Sequence, residues 1–283
     1  MATSPGCAFA TKEALNCLYS KSHNLELDLC LSVQTSQDEQ YLKSLYPNAN
    51  IFYPNLSRIE SLKNQSRYRS AIHSEIINQS WKMKTDAEFA IIMDNDVLLT
   101  GSQKIGDLLK LMELRQAVIC GTSYPKQDVL SRLIGRKDYK PMDVPNVIFS
   151  ILDLSYYKKM HTICDFSNLL LDSKNTFFDD SFPKKLQGKM IDTAASLFTQ
   201  PIIDKRKYFI FSCVNSFHPY FPGSIKHFLF GGIHSPELYS LQEIDLKIHH
   251  FKKLSSPSFQ NHERRIKAYN SWKAKIYMLG VKK

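Results

Sequence analysis

Two aspartates separated by one residue, Asp94 and Asp96, directly follow the apolar run Phe89–Met93. A continuous run of this kind is typical of a β-strand that is covered on both faces. In open α/β sheets, ligands bind outside the carboxyl ends of such strands. Two carboxylates this close repel each other unless a cation lies near them, and a hard divalent ion bound to a diphosphate fits that place. The alternative is that both aspartates are ordinary turn residues.

The segment Ile91–Leu99, with the sequence IIMDNDVLL, resembles the Asp-x-Asp motif of GT-A glycosyltransferases, in particular the family-2-like enzymes. The resemblance implies an α/β, Rossmann-like fold with a mainly parallel sheet flanked by helices. It also implies that Asp94 and Asp96 bind Mn²⁺ or Mg²⁺ together with a nucleotide-diphosphate sugar, such as a UDP- or GDP-sugar. The expected reaction moves the sugar to a hydroxyl of a saccharide or lipid-linked acceptor with inversion, as in family-2-like enzymes. Such a reaction would serve polysaccharide biosynthesis.

Further candidate residues rest on looser parts of the same resemblance. The segment 188–195 resembles the acidic helix start that supplies the general base, which makes Asp192 the candidate. Asp180, in the pair with Asp179, competes for this role, because paired carboxylates can divide acid and base functions. A helix cap for Asp192 and a solvated loop for Asp180 are the structural alternatives.

Two histidines flank the Gly231-Gly232 turn late in the chain, where the family often supplies a third metal ligand or a phosphate contact. His227 is preferred over His234 as the metal ligand, and a purely structural role is open for both. Before the Asp-x-Asp strand, Arg67 and Arg69 open a helix at the place where the family contacts the nucleotide. A guanidinium fork suits phosphate oxygens, but a solvated basic face explains the same residues.

Strands and helices alternate in the first half of the chain. The predicted strands are Leu27–Val33, Ala49–Tyr53, Phe89–Met93, Ala117–Cys120 and Asn146–Leu152. Helical spacing of apolar residues follows between Tyr68 and Trp81 and again around Leu108–Met112. The alternation predicts crossover units and a mainly parallel sheet. After about Leu152 the chain becomes aromatic and loop-like around one short helix near Asp192, and this half is expected to bind the acceptor.

The expected organisation is one GT-A domain over residues 1–250, followed by a basic amphipathic helix in 251–283. The nucleotide-sugar half covers about 1–145 and the acceptor half 146–250. The family normally begins with a complete apolar strand, whereas here Ser4-Pro5-Gly6 follows only three residues, so the first strand is predicted to be missing or abbreviated. The terminal helix either packs on the domain or contacts an anionic membrane surface.

The overall composition limits the possible partners, metal ligands and functions of the protein. A net charge of +10 favours anionic partners, and six cysteines without a C-x-x-C pair argue for free thiols and for a metal on oxygen ligands. No apolar run is long enough to span a bilayer, which favours a cytoplasmic protein. Rival functions are a nucleotidyltransferase, for which no Gly-rich phosphate loop is present, and a basic nucleic-acid-binding protein, for which no known motif is present. We therefore do not expect a nucleic-acid partner.

Overall fold

The computed structural model describes residues 1–63, 68–81, 86–123, 145–160, 197, 200–202, 204–214, 237–251 and 262–281. Six α-helices and one 3-10 helix have defined bounds in these ranges: α1 Ala8–Lys21, α2 Ser36–Leu45, the 3-10 helix Ser57–Leu62, α3 Tyr68–Trp81, α4 Ile105–Arg115, α5 Leu154–Met160 and α6 His262–Val281. The strands are β1 Cys30–Ser32, β2 Asn50–Phe52, β3 Phe89–Met93, β4 Val97–Gly101, β5 Ala117–Ser123, β6 Pro145–Asp153, β7 Lys207–Val214, β8 Glu237–Leu241 and β9 Ile244–His250.

Seven of the strands form one curled sheet in the order β3-β6-β5-β7-β8-β9-β4. The first and last strands of this order, β3 and β4, are consecutive in the chain and are joined only by residues 94–96. The curl of the sheet therefore brings its two ends together at the Asp94-Asn95-Asp96 turn. Strands β1 and β2 pair separately as a short parallel sheet.

The expectation of a mainly parallel sheet is wrong. In the seven-stranded sheet only β5 and β7 pair in parallel, and the other five described pairings are antiparallel. The alternation of strands and helices does not determine strand direction. It therefore could not predict that β6 lies between β3 and β5 and pairs antiparallel with both. Strands β4, β7, β8 and β9 were also not predicted, and β8 and β9 form a tight hairpin.

The N-terminal residues act as a very short strand. Ala2 forms parallel bridges to both Ser32 and Asp94, so it lies between the end of β1 and the end of β3. Backbone hydrogen bonds from Thr3 N to Ser32 O and from Ser32 N to Met1 O, each 3.0 Å long, hold it there. The expected first strand is thus present in abbreviated form.

The apolar stripe of helix α6 faces the protein interior. Tyr269, Trp272 and Ile276 are buried in the main core, and the Tyr269 ring packs edge-on against Phe9 and Phe251. This packing occupies the face that a membrane contact would need, so the stripe serves as core. Among the described residues, no helix combines the length and apolar character needed to cross a membrane.

We expect Gly101→Ala to destabilise the fold strongly. Gly101 ends β4 at φ +101°, and a Cβ there would lie 1.9 Å from the carbonyl oxygen of Asp245 in β9. Neither backbone can move without breaking the β4–β9 register, so we expect a loss of about 2 kcal/mol or more and a fall in Tm of roughly 4 °C or more.

Gly106→Ala is the matched control, because a Cβ at Gly106 would meet nothing within 4 Å. It lies in the first turn of α4, where alanine favours helix, so we expect an unchanged or slightly raised Tm in thermal unfolding. Equal Tm values for the two variants would contradict the β4–β9 geometry.

Candidate metal centre

Three side chains meet where the two ends of the sheet come together. Asp94 and Asp96 come from the β3–β4 turn, and His250 is the last residue of β9. One ligand atom from each of the three lies within 4.8 Å of the others. His250 Nε2 is 3.3 Å from Asp96 Oδ1 and 3.9 Å from Asp94 Oδ2. The cluster is therefore compact enough for one ion to reach all three groups.

The backbone of the turn is fixed from both sides. Asp94 N donates to Ile148 O of β6 at 2.9 Å, and Phe251 N donates to Asp96 O at 2.9 Å. The middle residue, Asn95, is buried, and its Nδ2 donates to Thr11 Oγ1 of α1 at 3.4 Å. Asn95 thus ties the turn to α1 while its two neighbours face the cluster. A turn held on three sides is suited to presenting two carboxylates in a fixed geometry.

The carboxylates of the cluster are poorly solvated. The Asp96 side chain is only 7% exposed and that of Asp94 is 20% exposed. Burial raises the pKa of Asp94 from its ordinary value of 3.8 to about 6; His73 and His250 oppose the rise, and the neighbouring Asp96 carboxylate adds to it. Two poorly solvated carboxylates this close are unfavourable without a cation, which is the electrostatic condition for a divalent metal site.

A second histidine contacts the cluster from helix α3. His73 Nε2 lies 3.3 Å from Asp94 Oδ1, whereas His250 Nε2 lies 3.9 Å from Asp94 Oδ2. Asp94 is thus held between two imidazoles. A histidine that orients a ligating carboxylate in this way is common around protein metal ions.

The ligand set fits a divalent cation. Two carboxylates and one imidazole offer hard oxygen donors with one nitrogen, which suit Mn²⁺ or Mg²⁺ and are also compatible with Zn²⁺. Among the described residues, His, Asp and Glu come together in this way only here. The five described cysteines lie outside the cluster.

The structure brings together Asp94 and Asp96 as the sequence predicted, and it adds His250 and His73. The calls on Asp180, Asp192, Arg67, His227 and His234 lie outside the described residues, and Arg69 lies in α3 without a described side chain. Sequence reasoning missed His250 because β9 was not predicted. The available signal was the alternation of Ile244, Leu246 and Ile248 running directly into a histidine pair.

Comparison with known proteins gives a distant structural likeness. The sequence matches no protein-family model, and no curated protein matches it either. Among solved structures, the apo form of mouse xyloside xylosyltransferase 1 is similar over 71% of this chain and 78% of that chain, with a TM-score of 0.41 and 13% sequence identity.

Proposed function

We propose that this protein is a metal-dependent glycosyltransferase that takes its sugar from a nucleotide-diphosphate donor. The observation that carries the proposal is the cluster of Asp94, Asp96 and His250 at the carboxyl end of the apolar strand β3. The same two aspartates form the Asp-x-Asp segment that resembles GT-A enzymes. A transferase of this kind needs a rigid, poorly solvated pair of carboxylates, and the turn between β3 and β4 has these properties.

Each group of the cluster has a separate task in this proposal. Asp96, His250 and Asp94 would hold the ion, and His73 fixes the orientation of the Asp94 carboxylate. A divalent ion held by these residues would offset the negative charge that grows on the diphosphate as the bond to the sugar breaks. Asn95 keeps the turn from shifting during that change of charge, because its side chain is anchored to α1.

The general base and the donor-phosphate contacts are assigned to the residues predicted from the sequence. Asp192, or Asp180 in its place, removes the proton from the attacking hydroxyl of a saccharide or lipid-linked acceptor, and attack from the opposite face inverts the sugar carbon. Arg67 and Arg69 contact donor phosphates. With His250 in the metal cluster, His227 and His234 remain candidates for a further ligand or a phosphate contact.

Calorimetric titration of UDP and GDP tests the donor site directly. We expect one of the two nucleotides to bind with micromolar affinity in the presence of Mn²⁺ and to lose at least about tenfold in affinity when EDTA removes the metal, because a cation held by the cluster would attract the charged diphosphate. Mg²⁺ in place of Mn²⁺ shows which ion the site prefers.

Two results would contradict the proposal. Binding of both nucleotides that is indifferent to metal would remove the ion from donor recognition. Absence of nucleotide binding together with salt-dependent binding of DNA or RNA would instead support the nucleic-acid alternative, since that affinity falls steeply with salt.

A further inference from the structure

Helices α1 and α6 lie side by side and run in the same direction. Three contacts join them at matched steps of four residues: the Phe9 and Tyr269 rings lie 5.4 Å apart, Lys273 Nζ lies 3.2 Å from Glu13 Oε1, and Cys17 Sγ lies 3.5 Å from Tyr277 OH. Residues four apart lie on one face of a helix, so the same two faces stay in contact over about two turns. The positions of α1 and α6 are therefore fixed relative to each other.

Helix α1 holds the turn that carries the two aspartates of the metal centre. Asn95 lies between these aspartates, and its Nδ2 donates to Thr11 Oγ1 of α1 at 3.4 Å. Thr11 is fully buried, so the turn is joined to the inner side of the helix. The position of the aspartates thus depends on the position of α1.

Helix α6 holds the residue that follows His250. The Phe251 ring lies 5.7 Å from the Tyr269 ring and 5.1 Å from the Trp272 ring. These three residues are buried, and the Tyr269 and Trp272 rings also lie 5.5 Å from each other. Phe251 N donates to Asp96 O at 2.9 Å, so Phe251 contacts both sides of the cluster. A shift of Phe251 would change the distance of 3.3 Å between His250 Nε2 and Asp96 Oδ1.

Tyr269 connects the two sides of this arrangement. Its ring packs edge-on against Phe9 of α1 and against Phe251. Its hydroxyl is buried and makes no hydrogen bond with any described group, so the ring makes the contacts. Burial raises the pKa of the Tyr269 phenol, and the negative charge of Asp96 adds to the rise, which indicates that Tyr269 lies near the cluster.

We propose that Tyr269 is a positioning residue of the metal centre, whose ring sets the distance between the aspartate turn held by α1 and His250. The proposal rests on the proposed function, because it takes the cluster of Asp94, Asp96 and His250 to be a metal site. Loss of a residue that orients a metal ligand typically lowers metal affinity by roughly ten- to a hundredfold. Helix α6 thus contributes to metal binding although, among the described residues, it supplies no group to the cluster.

Tyr269→Leu in the full chain tests the proposal, and Tyr157→Leu is the matched control. Tyr157 of α5 is also fully buried and packs edge-on against a ring, that of Tyr156 at 4.8 Å. Helix α5 lies at the other end of β3 from Asp94, where Leu154 N donates to Glu88 O. Both substitutions remove a buried ring and should lower Tm.

Mn²⁺ affinity is the quantity that distinguishes the two variants. Calorimetry below both unfolding transitions should show a loss of about tenfold in Tyr269→Leu and no change in Tyr157→Leu. Tyr269→Phe keeps the ring and should keep the wild-type affinity. Trp272→Phe is a smaller change in contact with Phe251 and should give a smaller loss, and it takes the place of Tyr269→Leu if that variant does not fold.

Pulsed EPR of bound Mn²⁺ shows whether His250 itself is displaced. An imidazole nitrogen that ligates Mn²⁺ couples to its electron spin, and His250→Gln gives the spectrum without that nitrogen. We expect the coupling to weaken in Tyr269→Leu and to persist in Tyr269→Phe and Tyr157→Leu. A general loss of stability would not change this signal.

Three results would overturn the proposal, and they differ in what else they exclude. Wild-type affinity and nitrogen coupling in Tyr269→Leu would exclude the positioning role and leave the metal centre intact. Equal losses of affinity in Tyr269→Leu and Tyr157→Leu would mean that overall stability alone is involved. A wild-type protein that binds no Mn²⁺ would contradict the metal centre, and with it the positioning role.

Discussion

Asp96→Asn is expected to lower kcat for sugar transfer by about three orders of magnitude while leaving the protein folded. Asp96 is the most deeply buried carboxylate of the cluster, and its Oδ1 is the atom nearest His250 Nε2. An amide is a far weaker ligand for a hard divalent ion than a carboxylate. Losing the ion removes several kcal/mol of stabilisation from the departing diphosphate, and roughly 4 kcal/mol corresponds to about 10³ in rate.

Stability separates this effect from simple damage to the fold. The substitution keeps the shape of the side chain and removes one of two carboxylates that repel each other, so the metal-free variant should unfold at a Tm equal to or above that of the wild type. Added Mn²⁺ should raise the Tm of the wild type and not that of the variant. Both quantities can be read from thermal unfolding with and without EDTA.

Two control variants show whether the loss of activity is specific to the cluster. Asp86→Asn removes an exposed carboxylate that precedes β3, at the far end of the strand from Asp94, and should leave kcat unchanged. The second control is His249→Gln, next to His250 in sequence. The Nε2 atom of His249 lies 2.9 Å from Thr100 Oγ1, and glutamine can keep that contact. His250→Gln, by contrast, should weaken Mn²⁺ binding. An Asp96→Asn enzyme with full activity in Mn²⁺ would exclude the cluster from catalysis.

The placement of the two aspartates at the end of a buried strand could be predicted from the sequence because it is local. A run of five apolar residues followed by two acids specifies a buried strand and a polar turn without reference to the rest of the chain. The structure places β3 at the predicted bounds, and β5 and β6 begin within one residue of their predicted starts. The packing of α6 also follows from its apolar stripe, which is a local pattern as well.

The histidines of the cluster could not be found in this way because they depend on strand order. His250 is 154 residues from Asp96 and reaches it only because β9 pairs with β4 in antiparallel register, which sets Val97 opposite His250. Nothing in the spacing of the two segments indicates this pairing. His73 meets Asp94 through the placement of α3 beside the end of β3, and the sequence predicted the helix but not which of its residues faces the site.

The raised pKa of Asp94 predicts a defined pH dependence of metal binding at the candidate centre. We expect Mn²⁺ affinity, measured by calorimetry, to be constant above about pH 7 and to fall roughly tenfold for each pH unit below 6, because a proton and the ion compete for the same carboxylate. The Mn²⁺-dependent rise in Tm should accordingly be full at pH 7.5 and small at pH 5. Equal stabilisation at both pH values would show that Asp94 is not a ligand.

The stability of the metal-free protein should depend on pH in the opposite direction. Because the pKa of Asp94 is higher in the folded state than its ordinary value of 3.8, the folded state holds this proton more tightly than the unfolded state does. The resulting stabilisation is fully present below pH 3.8 and is lost as the pH rises through about 6. In EDTA, the Tm of the wild type relative to Asp94→Asn should therefore fall between pH 5 and pH 7.5. Adding Mn²⁺ at pH 7.5 should reverse that fall in the wild type alone, since the bound cation offsets the charge of the Asp94 carboxylate that the proton neutralises at low pH.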